Sequence, residues 1–177
     1  MVQLFTVEND RPVKLWNKPP KQESMNLVPD WAPNIHPLVV HFPIALLLTA
    51  AGLDVAGFAL RCNRPLRFVA SVLYVLGTVT LAAAYFTGRS AAATVWLPGM
   101  AHAAVAEHWE WAFRAIWFFA VLTVARLLLL WRLRTDPRPA VIALLTLAGL
   151  LGGVLLGETG DRGGRLVYRH GVGITRE

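Results

Sequence analysis

Charge is scarce in this 177-residue chain. Lys, Arg, Asp and Glu together make up 16% of it, whereas hydrophobic residues make up 55%. A soluble domain of this length lacks the interior volume to hide so much apolar surface. The few charged residues are also clustered, which leaves long stretches nearly free of them. The sequence therefore predicts an integral membrane protein, whose first partner is the lipid bilayer.

Cysteine is nearly absent, since Cys62 is the single one in the chain. This excludes an intrachain disulfide and the CxxCH motif that attaches c-type haem. An apolar segment behind a basic start is also absent: residues 1–34 are polar and rich in proline, so no secretory signal peptide is expected. The sequence shows no internal repeat and no low-complexity tract.

The formal net charge is +6, which raises nucleic acid as a partner. The basic residues, however, lie between and beyond the apolar segments, where arginine usually marks a membrane interface. We therefore expect no nucleic-acid partner.

Four apolar segments approach the ~20 residues that a helix needs to cross the hydrocarbon core. They run from about 37 to 60, 66 to 86, 109 to 131 and 140 to 156. The connections "RCNRP" and "RLRTDPRP" are so short that they force antiparallel neighbours. The predicted fold is an all-α membrane protein: an up-down four-transmembrane-helix bundle over residues 35–177, preceded by an extended, proline-rich N-terminal arm over residues 1–34.

The orientation follows from the basic residues. The two short connections are rich in arginine, and the positive-inside rule then places them in the cytoplasm. Both termini would lie in the periplasm, with the chain as a multi-pass protein of the bacterial inner membrane. The arginines concerned are Arg61, Arg64, Arg67, Arg132, Arg134 and Arg138.

All five histidines fall on the periplasmic side of such a bundle. They are His36, His41, His102, His108 and His170. A single interfacial histidine usually just caps a helix or binds headgroups. Five on one face and none on the other favour a functional role, because imidazole is a common metal ligand and ionisable residues at membrane depth are functional candidates.

The spacing of the first two histidines assigns them different partners. Pro37 suits the first helical position, which makes His36 the cap, nearer to water. His41 lies about 7.5 Å deeper and roughly 140° around the helix, and it is predicted to face a neighbouring helix. A bis-histidine haem needs one ligand from each of two helices. We therefore predict that His41 and His108 ligate one shared centre or two adjacent centres, and that His36 and His170 form a more exposed one.

Two further sets of charged residues have predicted roles, the first at the cofactor and the second apart from it. Arg162, Arg165 and Arg169 could neutralise haem propionates through forked hydrogen bonds, or they could bind lipid headgroups instead. Asp54 and Arg126 each lie 18 positions after a histidine, or about 27 Å down the helix, so they reach similar depths. We predict that they form a structural ion pair between the first and third membrane helices; the alternative is that Arg126 reaches lipid phosphate.

Three stretches resemble a known family. The segments "HPLVVHFPIALLLTAAGLD" (36–54), "EHWEWAF" and "GGRLVYRHGVGI" (163–174) are similar to the bacterial membrane proteins grouped as domain of unknown function 2231, and the resemblance covers about residues 34–174. It implies a four-helix membrane protein. Some relatives carry c-type cytochrome domains after the membrane part, which implies redox chemistry and a periplasmic C-terminus. By motif match, the family-like histidines are His36, His41, His108 and His170, without His102.

The sequence is best interpreted as a membrane-embedded cytochrome b-like electron-transfer subunit rather than a stand-alone enzyme. It would carry one or two molecules of haem b near the periplasmic face. It would pass electrons between a periplasmic cytochrome and quinone or another carrier, together with other subunits of a redox complex. Two alternatives stay open: a non-haem zinc, copper or iron site held by three or four histidines, and a cofactor-free structural subunit of a respiratory complex.

Overall fold

The computed structural model describes residues 6–8, 11–13, 34–60, 64–95, 97, 99, 101–132 and 138–173. Four spans within these ranges are long and apolar enough to cross a membrane, which confirms the predicted all-α four-helix membrane bundle. The helices are α1 (His36–Val39), α2 (His41–Ala59), α3 (Arg64–Thr94), α4 (Ala101–Arg132) and α5 (Pro139–Tyr168).

Two short strands precede the bundle. The strands β1 (Thr6–Glu8) and β2 (Arg11–Val13) pair antiparallel within the stretch predicted as an extended arm. Residues 1–5, 9–10 and 14–33 of that arm lie outside the described residues, and so do residues 61–63 and 133–137 of the two short connections.

The helices α1 and α2 together make the first span. Val40 joins them with helical dihedral angles of φ −63° and ψ −23°, so the axis continues through the junction. Pro37 occupies the first turn, where its missing N–H removes no hydrogen bond. The backbone N–H of His36 donates to Asn34 Oδ1 at 3.0 Å. The N-cap residue is Ile35 and His36 is the first residue of the helix, so the prediction that His36 caps the helix is wrong.

The last two helices extend well beyond the predicted limits. The helix α4 begins at Ala101 and α5 continues to Tyr168, whereas the predicted spans began near 109 and ended near 156. The prediction followed the apolar run, but the charged residues beyond it also favour helix. They form ion pairs four positions apart, which stabilise an exposed helix, as in Arg162–Glu158 and Arg165–Asp161 of α5, and Arg162 also pairs with Glu107 of α4.

The helices α2 and α4 occupy diagonal corners of the bundle. Each packs against α3 and α5, and within the described residues the two have no close backbone contact with each other. Side chains of α2 and α4 can therefore meet only across the bundle centre. This arrangement makes their inward faces the part of the molecule where a central site would form.

Glycines allow the helices of each neighbouring pair to approach closely. A Cβ at Gly77 of α3 would lie 2.6 Å from Leu47 Cγ, and a Cβ at Gly152 of α5 would lie 2.6 Å from Phe119 Cζ. Leu47 and Phe119 are both 1% exposed and belong to one core cluster. Small residues therefore provide room for large ones, which is how membrane helices pack tightly.

Candidate cofactor site

The inward faces of the first span and of α4 follow the same spacing. Residues at steps of 7, 11, 14 and 18 from a histidine lie on one face, because 18 residues make about five turns. On the first span these are Pro43, Leu47, Ala50 and Asp54, after His36, and on α4 they are Ala115, Phe119, Leu122 and Arg126, after His108. All eight are buried. His36 and His108 therefore begin the two buried faces that meet across the diagonal.

At the far end of these faces, Arg126 and Asp54 form the predicted ion pair. Arg126 Nη1 and Nη2 donate to Asp54 Oδ2 and Oδ1, each at 2.7 Å. The two side chains are only 3% and 4% exposed. The guanidinium also lies 4.4 Å above the ring of Tyr74. The prediction of an ion pair between the first and third membrane helices is confirmed, and Arg126 does not extend to the lipid headgroups.

At the near end, the His36 ring is anchored to α3. Its Nδ1 lies 3.1 Å from Thr87 Oγ1, and Thr87 Oγ1 donates its own proton to the carbonyl oxygen of Ala84 at 3.0 Å. With its proton directed to Ala84, the hydroxyl accepts from His36 in the Nδ1–H tautomer. In a neutral imidazole the other nitrogen then carries a lone pair, so Nε2 of His36 is the free ligand atom.

The His108 ring is anchored to α5 in the same way. Its Nδ1 lies 3.1 Å from the carbonyl oxygen of Thr159. A carbonyl oxygen can only accept, so Nδ1 carries the proton and Nε2 carries the lone pair. A histidine that donates its second ring N–H to a protein group is the usual arrangement of a metal ligand, because that bond fixes both tautomer and orientation.

Both histidines line the same pair of adjoining cavities. The outer cavity has a volume of about 340 Å³ and continues to Trp109 and Val172. The inner cavity has a volume of about 320 Å³ and reaches Leu81 and Leu156. His36 and His108 line both. Apart from these two imidazoles the lining is mainly apolar, as is usual for a site that binds a small molecule or a cofactor.

A glycine lies behind each histidine ring. A Cβ at Gly88 would lie 2.9 Å from His36 Cε1, and a Cβ at Gly163 would lie 3.2 Å from His108 Cε1. Both distances are shorter than an ordinary carbon–carbon contact of about 3.5–4.0 Å. Each ring therefore rests against a helix backbone at a position that a larger residue would obstruct.

His41 has a different place from the predicted one. It is exposed, its Nδ1 donates to the carbonyl oxygen of Pro37 at 2.7 Å, and it lines neither cavity. The prediction that His41 faces inward and His36 faces water is thus wrong, because His36 lines the cavities and His41 is exposed. The sequence separation from Asp54 distinguishes the two histidines. His36 lies 18 residues before Asp54 and so shares the face of the ion pair, whereas His41 lies 13 residues before it and points well away from that face.

His170 and His102 lie away from the cavities too. His170 follows α5 in a turn that Gly171 closes with φ 63°, and Val172 N–H donates to Leu166 O at 3.0 Å. This turn brings Val172 to the outer cavity, but not His170. His102 is exposed in the first turn of α4. The structure consequently brings His36 and His108 together, in place of the predicted pairs His41–His108 and His36–His170.

The three predicted propionate-binding arginines do not line the cavities. Arg162 donates to Glu107 at 2.8 Å and to Glu158 at 2.5 Å, while its guanidinium lies 4.0 Å from the Trp111 ring centroid. Arg165 pairs with Asp161, and Arg169 is exposed. Their role in binding propionates stays a prediction, and two of the three already have carboxylate partners.

The donor set favours a ligand that brings its own nitrogen atoms. In the part of the chain that the structure describes, no group of three or more His, Cys, Asp or Glu side chains is placed to hold a metal ion. A bare zinc, copper or iron site needs such a group. Two imidazoles that line one cavity suit an iron porphyrin, which brings nitrogen ligands of its own.

A family model described as predicted membrane protein (DUF2231) matches residues 32–176. The chain belongs to this family. The resemblance predicted from the sequence motifs is thereby confirmed. No curated protein and no solved structure matches the chain. All five histidines and the Asp54–Arg126 pair lie within the part that the DUF2231 model covers.

Proposed function

We propose that this DUF2231 protein is a cytochrome b-like electron-transfer subunit in which His36 and His108 would hold haem b. The observation that carries the proposal is the anchoring of the two rings. Each imidazole donates its Nδ1–H to a neighbouring helix, and both line the same cavities. Two imidazoles from diagonal helices would be the protein ligands that hold haem b.

The lining of the site also fits such a group. Porphyrin faces are apolar, and small residues flank the rings, among them Ala84, Ala112 and Gly163. Haem, when bound, supplies one-electron chemistry. The protein's part is to hold the two imidazoles, exclude water with apolar side chains, and tune the ligands through the hydroxyl of Thr87 and the carbonyl of Thr159.

The level of the site in the membrane supports exchange with two kinds of carrier. Beyond His108, α4 and α5 carry charged residues such as Glu107 and Asp161, whereas the helix surfaces below are apolar. The histidines thus lie near one interface, within reach of a soluble cytochrome and of a membrane quinone. With the arginine-rich connections in the cytoplasm, this interface is the periplasmic side of the inner membrane, and the carriers would belong to a redox complex or associate with one.

Histidine substitutions test the proposal. The full-length protein is purified with haem supplied, and its reduced-minus-oxidised absorption spectrum is recorded. We expect b-type bands in the wild type, and their loss in His36→Ala and in His108→Ala. His41→Ala and His102→Ala are matched controls, since both histidines are exposed. A wild type that takes up no haem, or bands that survive both ligand substitutions, would refute the assignment.

A further inference from the structure

The bundle contains two helical hairpins with the same packing register. The first consists of α1, α2 and α3, and the second of α4 and α5. A shift of 72 positions carries the first span onto α4: His36 onto His108, Leu47 onto Phe119, and Asp54 onto Arg126. The members of each pair have the same structural role. The two histidines line the cavities, Leu47 and Phe119 belong to the core, and Asp54 and Arg126 form the ion pair.

The second helices of the two hairpins correspond as well. A shift of 75 positions carries α3 onto α5, and it relates Gly77 to Gly152, Leu81 to Leu156 and Gly88 to Gly163. It also relates Ser71 to Thr146, both buried hydroxyls that donate to a carbonyl four residues earlier in their own helix. The packing of the second hairpin therefore repeats that of the first. The sequence itself shows no internal repeat, because few residue identities recur.

The contacts within each hairpin repeat with the residues. Leu47 meets Gly77 in the first hairpin as Phe119 meets Gly152 in the second. His36 meets Gly88 as His108 meets Gly163. Two such hairpins, packed side by side with α2 and α4 on one diagonal, are related by a pseudo-twofold axis along the bundle. That axis passes between Asp54 and Arg126 at one end, and between His36 and His108 at the other.

From this relation we infer that the bundle holds a single haem on its pseudo-twofold axis, with Gly88 and Gly163 as equivalent positioning residues for its two ligands. The inference rests on the proposed function and adds the stoichiometry to it. A centre that bridges two symmetry-equivalent imidazoles lies on the axis, and the bundle has only one such axis. A second bis-histidine haem on the same axis would need a second pair of equivalent histidines.

The described part of the chain does not provide that second pair. The position equivalent to His41 is Phe113, and the position 75 residues before His170 is Val95. His41 and Phe113 are both exposed on the outside of the bundle. Of the four family-like histidines, His36 and His108 are the two that occupy equivalent positions in the two hairpins.

The number of haems is the first test. Haem is measured as the pyridine haemochrome, protein by amino-acid analysis, both on the full-length purified wild type and on His41→Ala. We expect one haem per chain in each sample. Two haems per chain, or a halved content in His41→Ala, would overturn the inference while leaving the proposed function intact. A wild type without haem would overturn both.

The glycines provide the second test. Gly88→Ala and Gly163→Ala should each weaken haem binding by about 10- to 100-fold, the effect typical of groups that orient a metal ligand. Both should also change the electron paramagnetic resonance g values of the oxidised haem, which report the orientation of the axial imidazoles. Gly157→Ala is the matched control on α5, because a Cβ there meets nothing within 4 Å. A change in only one of the two variants, or in neither, would contradict their equivalence.

Discussion

Arg126 of α4 donates two hydrogen bonds of 2.7 Å to the two carboxylate oxygens of Asp54 on α2, across the diagonal of the bundle. The two helices have no close backbone contact in the described structure. The pair therefore connects two helices whose backbones do not touch. Because both side chains are almost fully buried, neither charge has water as a substitute partner.

The first prediction concerns the loss of one charge. Asp54→Asn should lower the free energy of unfolding by about 3–5 kcal/mol, because it leaves the Arg126 guanidinium buried without a counter-charge. The haem spectrum should stay unchanged, since the histidines lie about 27 Å away along the helices. Thermal unfolding in detergent measures the effect. Glu110→Gln, in the exposed Arg114–Glu110 pair, is the control and should cost at most about 1 kcal/mol.

The second prediction concerns the removal of both charges. The double variant Asp54→Leu/Arg126→Leu should be clearly more stable than Asp54→Asn, because a buried ion pair can often be replaced by apolar residues at little cost. The same unfolding assay compares the two. A double variant as unstable as the single one would show that the pair contributes more than charge compensation.

The third prediction uses the close contact between Tyr74 and Gly149. A Cβ at Gly149 would overlap the Tyr74 hydroxyl oxygen, yet it would lie 3.5 Å from Tyr74 Cζ, an ordinary contact distance. Gly149→Ala should therefore destabilise the bundle, and adding Tyr74→Phe should restore most of the loss. Overpacking of this kind typically costs about 1–3 kcal/mol. A double-variant cycle in thermal unfolding gives the coupling, and purely additive effects would refute the contact.

The fourth prediction concerns the anchor of His36. Thr87→Val removes the oxygen that accepts the Nδ1 proton, so the ring loses its fixed tautomer and orientation. Haem affinity should fall by about 10- to 100-fold, measured by titration of the haem-free protein and followed in the Soret band. Thr80→Val is the control on the same helix, because Thr80 donates to carbonyls of its own helix. Equal affinity in both variants would exclude Thr87 from the site.

The depth of Asp54 and Arg126 along their helices could be predicted from the sequence, because charged residues are easy to locate within an apolar segment. Asp54 and Arg126 are the ionisable residues within two otherwise apolar spans, and counting residues from the histidines placed them at one level. The inward face was harder to predict. Leu47 is 1% exposed and its neighbour Leu48 is 47% exposed, yet both are leucine, since a lipid-facing surface is as apolar as a core. Without a polar contrast around the helix, nothing in the apolar pattern separated His36 from His41.

The anchoring groups of the site could not be predicted at all. The Thr159 carbonyl belongs to the backbone, and Thr87 resembles other membrane threonines that bond to their own helix, such as Thr80. The helix ends were missed for another reason. Segment lengths were set by hydropathy, whereas α5 continues beyond its apolar run with ion pairs such as Arg162–Glu158, and Glu107 in the first turns of α4 pairs with Arg162.

The centre of the bundle below the histidines is filled by buried Leu47, Leu81, Phe119 and Leu156. An electron that arrives and departs at His36 and His108 would therefore do so on one side of this apolar layer. One elementary charge that crosses a membrane potential of 100 mV changes in free energy by about 2.3 kcal/mol. An electron that is exchanged at one interface crosses almost none of that potential. Electron transfer through this site would be electrically silent, and its rate should be the same in energised and in uncoupled membranes.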